Sequence, residues 1–175
     1  AQIDTLTGDV EERCFDIIAL QHPAGEDLRV VIGALRIAAS LERMGDLSVH
    51  VAKIARLRVP HLAVPDTLRP TMLRMGQLAQ AMVGQLTQVI ATRDVTSAKQ
   101  LDRLDDEMDR LRRPTFTELL TKDWSHGVEA AVDIALLGRY YERIADHAVT
   151  VAQRVVFVVT DATSQRPLQA LVLGC

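Results

Sequence analysis

The chain has 175 residues, 48% of them hydrophobic and 25% charged, with a formal net charge of -3. That length suits one ordinary domain or two small helical units sharing a core, and the mild negative charge without a basic block gives a nucleic-acid partner little support. Aromatics are 3% of the residues, and the abundance of Ala, Leu, Val, Arg, Asp and Glu favours helices over a sandwich or barrel.

Five helices are predicted in chain order. The first covers 4–20 and is ended by His22-Pro23-Ala24-Gly25. The second covers 26–58, contains no proline and stops at Val59-Pro60. Pro60, Pro65 and Pro70 mark 60–70 as a connector, and Pro70 suits the first turn of a third helix over 70–92. The fourth starts at Thr96 or Ser97 and runs to 123, with Pro114 expected to kink or split it. Trp124-Ser125-His126-Gly127 forms the next turn, Trp124 is expected to cap the bundle end, and the fifth helix covers 128–159. Residues 162–175 read as a tail. The second and fifth helices would each be on the order of 45–50 Å long, which points to an elongated bundle. Ile37, Leu41, Met44 and Val51 recur at helical spacing while Leu47 and Ile54 lie off that stripe, so the second helix should touch neighbours on more than one side.

No run reaches 18 apolar residues; the nearest, 149–159, is interrupted by Gln153 and Arg154, so no transmembrane span is expected. The N-terminus lacks a signal-peptide pattern. Cys14 and Cys175 form no metal-type spacing, which fits a reducing, cytosolic compartment, and Cys14 reads as a small buried hydrophobe.

An internal repeat carries the strongest functional signal. The twelve residues Leu41-Glu42-Arg43-Met44-Gly45-Asp46-Leu47-Ser48-Val49-His50-Val51-Ala52 align without a gap on Tyr141-Glu142-Arg143-Ile144-Ala145-Asp146-His147-Ala148-Val149-Thr150-Val151-Ala152, agreeing at six positions with an offset of 100. This is a duplicated unit, not a short solenoid repeat. Glu42 and Asp46 are four apart and share one helix face, as do Glu142 and Asp146. Asp105 and Asp109 on the preceding helix are also four apart. If the fourth and fifth helices fold back near 125–126, Asp109 comes level with Glu142 and Asp105 with Asp146. A turn near Pro23 brings Asp4 towards the level of Glu42, with no residue left for a partner acid four before it.

Like charges so gathered repel unless protonated or neutralised, and an oxygen-rich cluster suits a hard cation: magnesium, calcium, manganese or iron. The candidate metal ligands are therefore Asp105, Asp109, Glu142 and Asp146 in the second repeat and Glu42, Asp46 and Asp4 in the first, the second patch expected to be the better formed. The plain alternative is a solvated acidic face. A di-iron carboxylate enzyme would use Glu-x-x-His on inward-facing helices, and that motif does not occur. Scattered Ser and His suggest no hydrolase triad, and no Gly-rich phosphate loop is present, so no catalytic residue is named. His147 turns away from Asp146 and reads as a surface or interface residue.

These segments resemble the PhoU family, as do 20–29 and Asp105-Asp106-Glu107-Met108-Asp109. The resemblance implies an all-α fold of tandem three-helix bundles related by pseudo-symmetry, with the first helix of the N-terminal bundle absent from this sequence: a partial first repeat over 1–60, a second over 66–161, then the tail. The two remaining helices of the first repeat should leave an apolar groove for another copy, the tail or solvent. It also implies a cytoplasmic, non-enzymatic negative regulator of phosphate uptake and the phosphate-starvation response. Such a regulator sits at the inner face of the membrane through its partners, a phosphate ABC transporter ATPase and a sensor histidine kinase of two-component signalling, and works as a homodimer. Some members hold iron or zinc clusters at the acidic motifs, while others show no metal. The sequence departs from the family pattern at His50 and Thr150, where Asn is frequent, at Leu47, where His is frequent, and at Pro114; His50 is expected to face solvent. The other reading is a metal-binding helical-bundle protein, either a di-iron-type enzyme or a metal store.

Overall fold

The computed structural model describes residues 2–161. They form α1 (Gln2–Gln21), α2 (Gly25–Leu57), α3 (Arg69–Thr92), α4 (Val95–Leu119) and α5 (Gly127–Asp161), with no strand among them. The tail expected over 162–175, and Cys175 with it, lies outside the described residues.

Local chemistry explains the boundaries. The α1–α2 turn uses two positive-φ residues, His22 (49°) and Gly25 (56°), around Pro23. Arg93 adopts the left-handed conformation after α3, and its N–H donates to the Val89 carbonyl at 2.8 Å, closing the last turn. Asp94 then caps α4: its carboxylate accepts from the Thr96 N–H at 2.8 Å and the Ser97 hydroxyl at 2.6 Å, and these bonds, Ser97 first, hold its pKa down. The helix thus begins at Val95, just ahead of the expected start.

Two expectations for α4 need correction. Its end is at Leu119, not 123. From there the chain closes in turns, Leu120 N–H to the Thr117 carbonyl, Thr121 to Glu118 and Trp124 to Thr121. Pro114 does not split the helix, which runs through it. Pro114 and Arg110, whose carbonyl loses its donor, are both exposed, so water can take the freed acceptor. Trp124 is half-buried against the core and donates its indole N–H to the Gly127 carbonyl at 2.7 Å, tying down the start of α5.

The helix α5 is the axis of the molecule. It packs against α2, α3 and α4, while α3 also packs on α4, so α3, α4 and α5 make a closed three-helix bundle. Met75, Met82, Leu86, Val89, Leu101, Met108, Ile134 and Val151 are fully buried there. The helix α1 touches only α2 among the described residues and leaves Leu6, Phe15 and Leu20 more than half exposed. The helix α2 does meet neighbours on two sides, and Leu47 and Ile54 are buried along with Met44.

The α2 and α5 helices run antiparallel, and the 100-residue offset shows how. A Cβ on Gly33 would lie 2.8 Å from Cγ2 of Val158 at one end. At the other end Arg58 bonds Asp133. Adding 100 to Gly33 gives Asp133, and taking 100 from Val158 gives Arg58. The two ends are therefore one packing arrangement with its helices exchanged, which places the pseudo-two-fold axis between the two Glu-x-x-x-Asp turns.

Candidate functional site

In the second repeat the structure brings the sequence-predicted carboxylates onto one face of α4 and α5. Asp105 sits among Asp146, Asp109, Asp106 and Asp102, and its pKa is pushed up to about 6 by partial burial first and then by those charges. Asp146 is raised too, by burial and then by Glu142, with Arg139 pulling the other way. The mirrored levels read from the sequence hold.

Glu142 has a different environment. It is the deepest of the set, and its two oxygens are held by guanidinium groups: Oε1 forms an ion pair with Arg112 of α4 at 3.0 Å, and Oε2 accepts a hydrogen bond from Arg139 of α5 at 2.5 Å. Asp109 lies 3.5 Å from Arg113, in an exposed pair. These arginines were missed at the sequence level. Arg139 was legible, being three residues before Glu142 and thus on its face. Arg112 was not, because its reach across two helices depends on phase and side-chain length.

The first patch is more open. Asp46 is exposed and lies 3.6 Å from Arg43, and Glu42 is half-buried. The side chain of Ile3 reaches Gly45, where a Cβ would be 2.7 Å from its Cδ1. Asp4 is thereby carried to the level of the Glu42–Asp46 turn, as expected. Ala39 stands where the second repeat has Arg139. His50 is exposed and stacks on Tyr140 at 5.4 Å between centroids, in line with its expected solvent position. His147 is half-buried on the α2 side, its pKa lowered by burial and then by Arg143 and Arg43, with Asp146 opposing. That environment fits an interface residue.

The donor chemistry suits a hard cation, but the side chains as arranged do not enclose one. Among the described residues no three His, Cys, Asp or Glu groups converge closely enough to ligate an ion, and the oxygens of Glu142 are already engaged by arginine. The residues do not fit a preformed metal centre.

A family model described as the PhoU domain matches residues 1–55 and 72–155. The chain belongs to the PhoU family. The break in that match falls on the connector between α2 and α3, while all five helices carry PhoU-family sequence. The chain is 45% identical over 161 residues to the phosphate-specific transport system accessory protein PhoU homolog 2 of Mycobacterium tuberculosis, covering 92% of this chain and 76% of that protein. To PhoU homolog 1 of Mycobacterium leprae it is 43% identical over 159 residues, covering 91% and 72%. The crystal structure of PhoU from Pseudomonas aeruginosa superposes with a TM-score of 0.82 at 28% identity, over 91% of this chain and 77% of that one. None of the described helices is long and apolar enough to cross a membrane.

Proposed function

We propose that this chain is a non-enzymatic negative regulator of phosphate uptake and of the phosphate-starvation response. It acts in the cytoplasm as an adaptor between a phosphate ABC transporter and a sensor histidine kinase, and it works as a homodimer. The observation that carries the reading is the 43–45% identity, over nine-tenths of the chain, to proteins named as accessories of the phosphate-specific transport system. The architecture suits that role. An α5 axis with α2, α3 and α4 laid along it presents long helical faces for partners, and the deepest carboxylate of the acidic patch is committed to arginines of its own chain. Deleting the gene is expected to derepress phosphate-starvation genes in phosphate-rich medium, and a plasmid copy to restore repression; unchanged transcript levels after deletion would remove the assignment. Chemical cross-linking should recover the transporter ATPase and the kinase, and light scattering should report two copies per particle.

The second reading, a metal-binding bundle, draws on the charge repulsion among Asp105, Asp109 and Asp146, which a bound cation would relieve. Titration with iron or manganese of the parent and of an Asp109→Asn, Asp146→Asn variant decides it: this reading requires a divalent-ion affinity that the variant loses.

A further inference from the structure

The two ends of the α2–α5 seam are related by the internal two-fold but carry opposite chemistry. At the end near Arg58 the seam is closed by charge pairing. Arg58 Nε lies 2.5 Å from Asp133 Oδ2, Nη2 lies 3.0 Å from Oδ1, and a further nitrogen meets Glu129. Asp133 is buried there.

Exchange the helices by the offset of 100 and the counterparts at the other end are Arg29 for Glu129, Gly33 for Asp133, Val158 for Arg58 and Phe157 for Leu57. Both carboxylates are gone. Arg154 replaces Ile54 and Arg36 replaces Leu136, so three guanidinium groups gather here, two of them where the sister end is neutral and Arg29 where it carries an acid. A pocket of about 340 Å³ opens at this place, lined by Arg29, Arg36, Arg154, Leu28, Ile32 and Phe157. None of the three arginines makes an ion pair among the described residues. Glu26 and Asp27, the acids nearest in sequence, are exposed and do not line the pocket.

Arg29 gives the sharpest evidence. It lies over the Phe157 ring with Cζ 5.4 Å from the centroid, and its Nη1 is buried without a hydrogen-bond partner among the described residues. A buried donor left unsatisfied is rare in folded chains and points to a missing acceptor. The N-terminus of α2 adds to the demand. Ala24 caps it with no side-chain hydrogen bond, and the first-turn residues Gly25 and Leu28 border the pocket, so the positive end of the helix faces the same space.

We infer that this pocket binds a small phosphorylated ligand, its phosphoryl group on Arg29, Arg36 and Arg154 and any apolar body against Leu28, Ile32 and Phe157. A dianion offsets three guanidinium charges better than one carboxylate does, and the guanidinium fork matches phosphoryl oxygens in pairs. Inorganic phosphate and a phosphate ester share that chemistry. The inference does not depend on the regulator assignment, since it is read from binding and not from gene expression.

The test is isothermal titration calorimetry on the full chain at fixed ionic strength, once with inorganic phosphate and once with adenosine monophosphate. Saturable binding of at least one is expected, and Arg154→Gln should raise its Kd about tenfold or more. Arg36→Gln, at an exposed position, should weaken it in the same direction if the first variant folds poorly. Arg103→Gln, on α4, which does not touch α2, should leave the affinity unchanged. Tighter binding of the ester assigns the apolar wall to the site, and equal binding assigns the phosphoryl group alone. The inference is overturned by no heat from either ligand up to about 10 mM. It is equally overturned by parental affinity in both pocket variants, or by an equal loss in Arg103→Gln.

Discussion

Glu142 is held by two arginines, and its neighbours Asp105 and Asp146 are not matched in the same way, so the patch divides into a neutralised centre and a charged margin. Arg112→Ala removes one guanidinium from a buried carboxylate and also the stem that packs over Gly138. Because Arg112 is about a third exposed, the loss is expected at about 1–2 kcal/mol in urea unfolding, below that of a fully buried pair. Asp105 makes the margin pH-dependent. Its folded pKa of about 6 lies above the ordinary aspartate value of 3.8, so the folded chain holds more protons than the unfolded chain between those values. Stability therefore falls as pH rises through that window and changes no further above it. Asp105→Asn should raise the melting temperature at pH 7.5, by an amount on the order of 0.5 kcal/mol after screening, and have no such effect at pH 4. Thermal melts of parent and variant at the two pH values check this. The carboxylates were legible because a spacing of four and a fold-back near the Trp124 turn put them on one level. Arg112 was not, since helix phase is absent from a linear string.

The helices themselves were the most legible part of the sequence, and the misses have local causes. Proline punctuation and the Gly25 and Gly127 turns mark the boundaries of α1, α2, α3 and α5 to within a few residues. The fourth helix ended early because 120–124 closes in tight turns that spacing does not distinguish from another helical turn. Pro114 kept its helix whole because it falls on the outer face, which only the fold reveals. Glycines within helices separate the same way. In α2, Gly33 permits the close approach of Val158, and a β-branched side chain has little freedom to move aside. Gly33→Ala should destabilise by about 1 kcal/mol, the overpacking outweighing the helix-propensity gain. In α3, Gly84 has nothing within 4 Å of where a Cβ would stand. Gly84→Ala should stabilise by about 0.5–1 kcal/mol. Chemical denaturation of the two variants side by side tests the opposite signs.

Seen as a whole, the molecule has an uneven distribution of support. The helix α5 is packed on three sides, whereas among the described residues α1 rests on α2 alone and leaves Phe15 and Leu20 exposed. Amide hydrogen exchange should therefore report α1 opening at lower free energy than the middle of α5, and equal protection of the two would contradict the packing described. The twofold relation of the seam has a consequence of another kind. Were two identical half-length chains to meet along this seam, symmetry would write the same side chains at both of its ends, and every substitution would be made twice. Covalent fusion of the halves lifts that constraint. One end is free to lock the helices together through Arg58 and Asp133, while the other accumulates Arg29, Arg36 and Arg154 without weakening the lock. The duplicated chain thus separates fastening from the gathering of positive charge, a division of labour that a symmetric pair of half-chains has no means to encode.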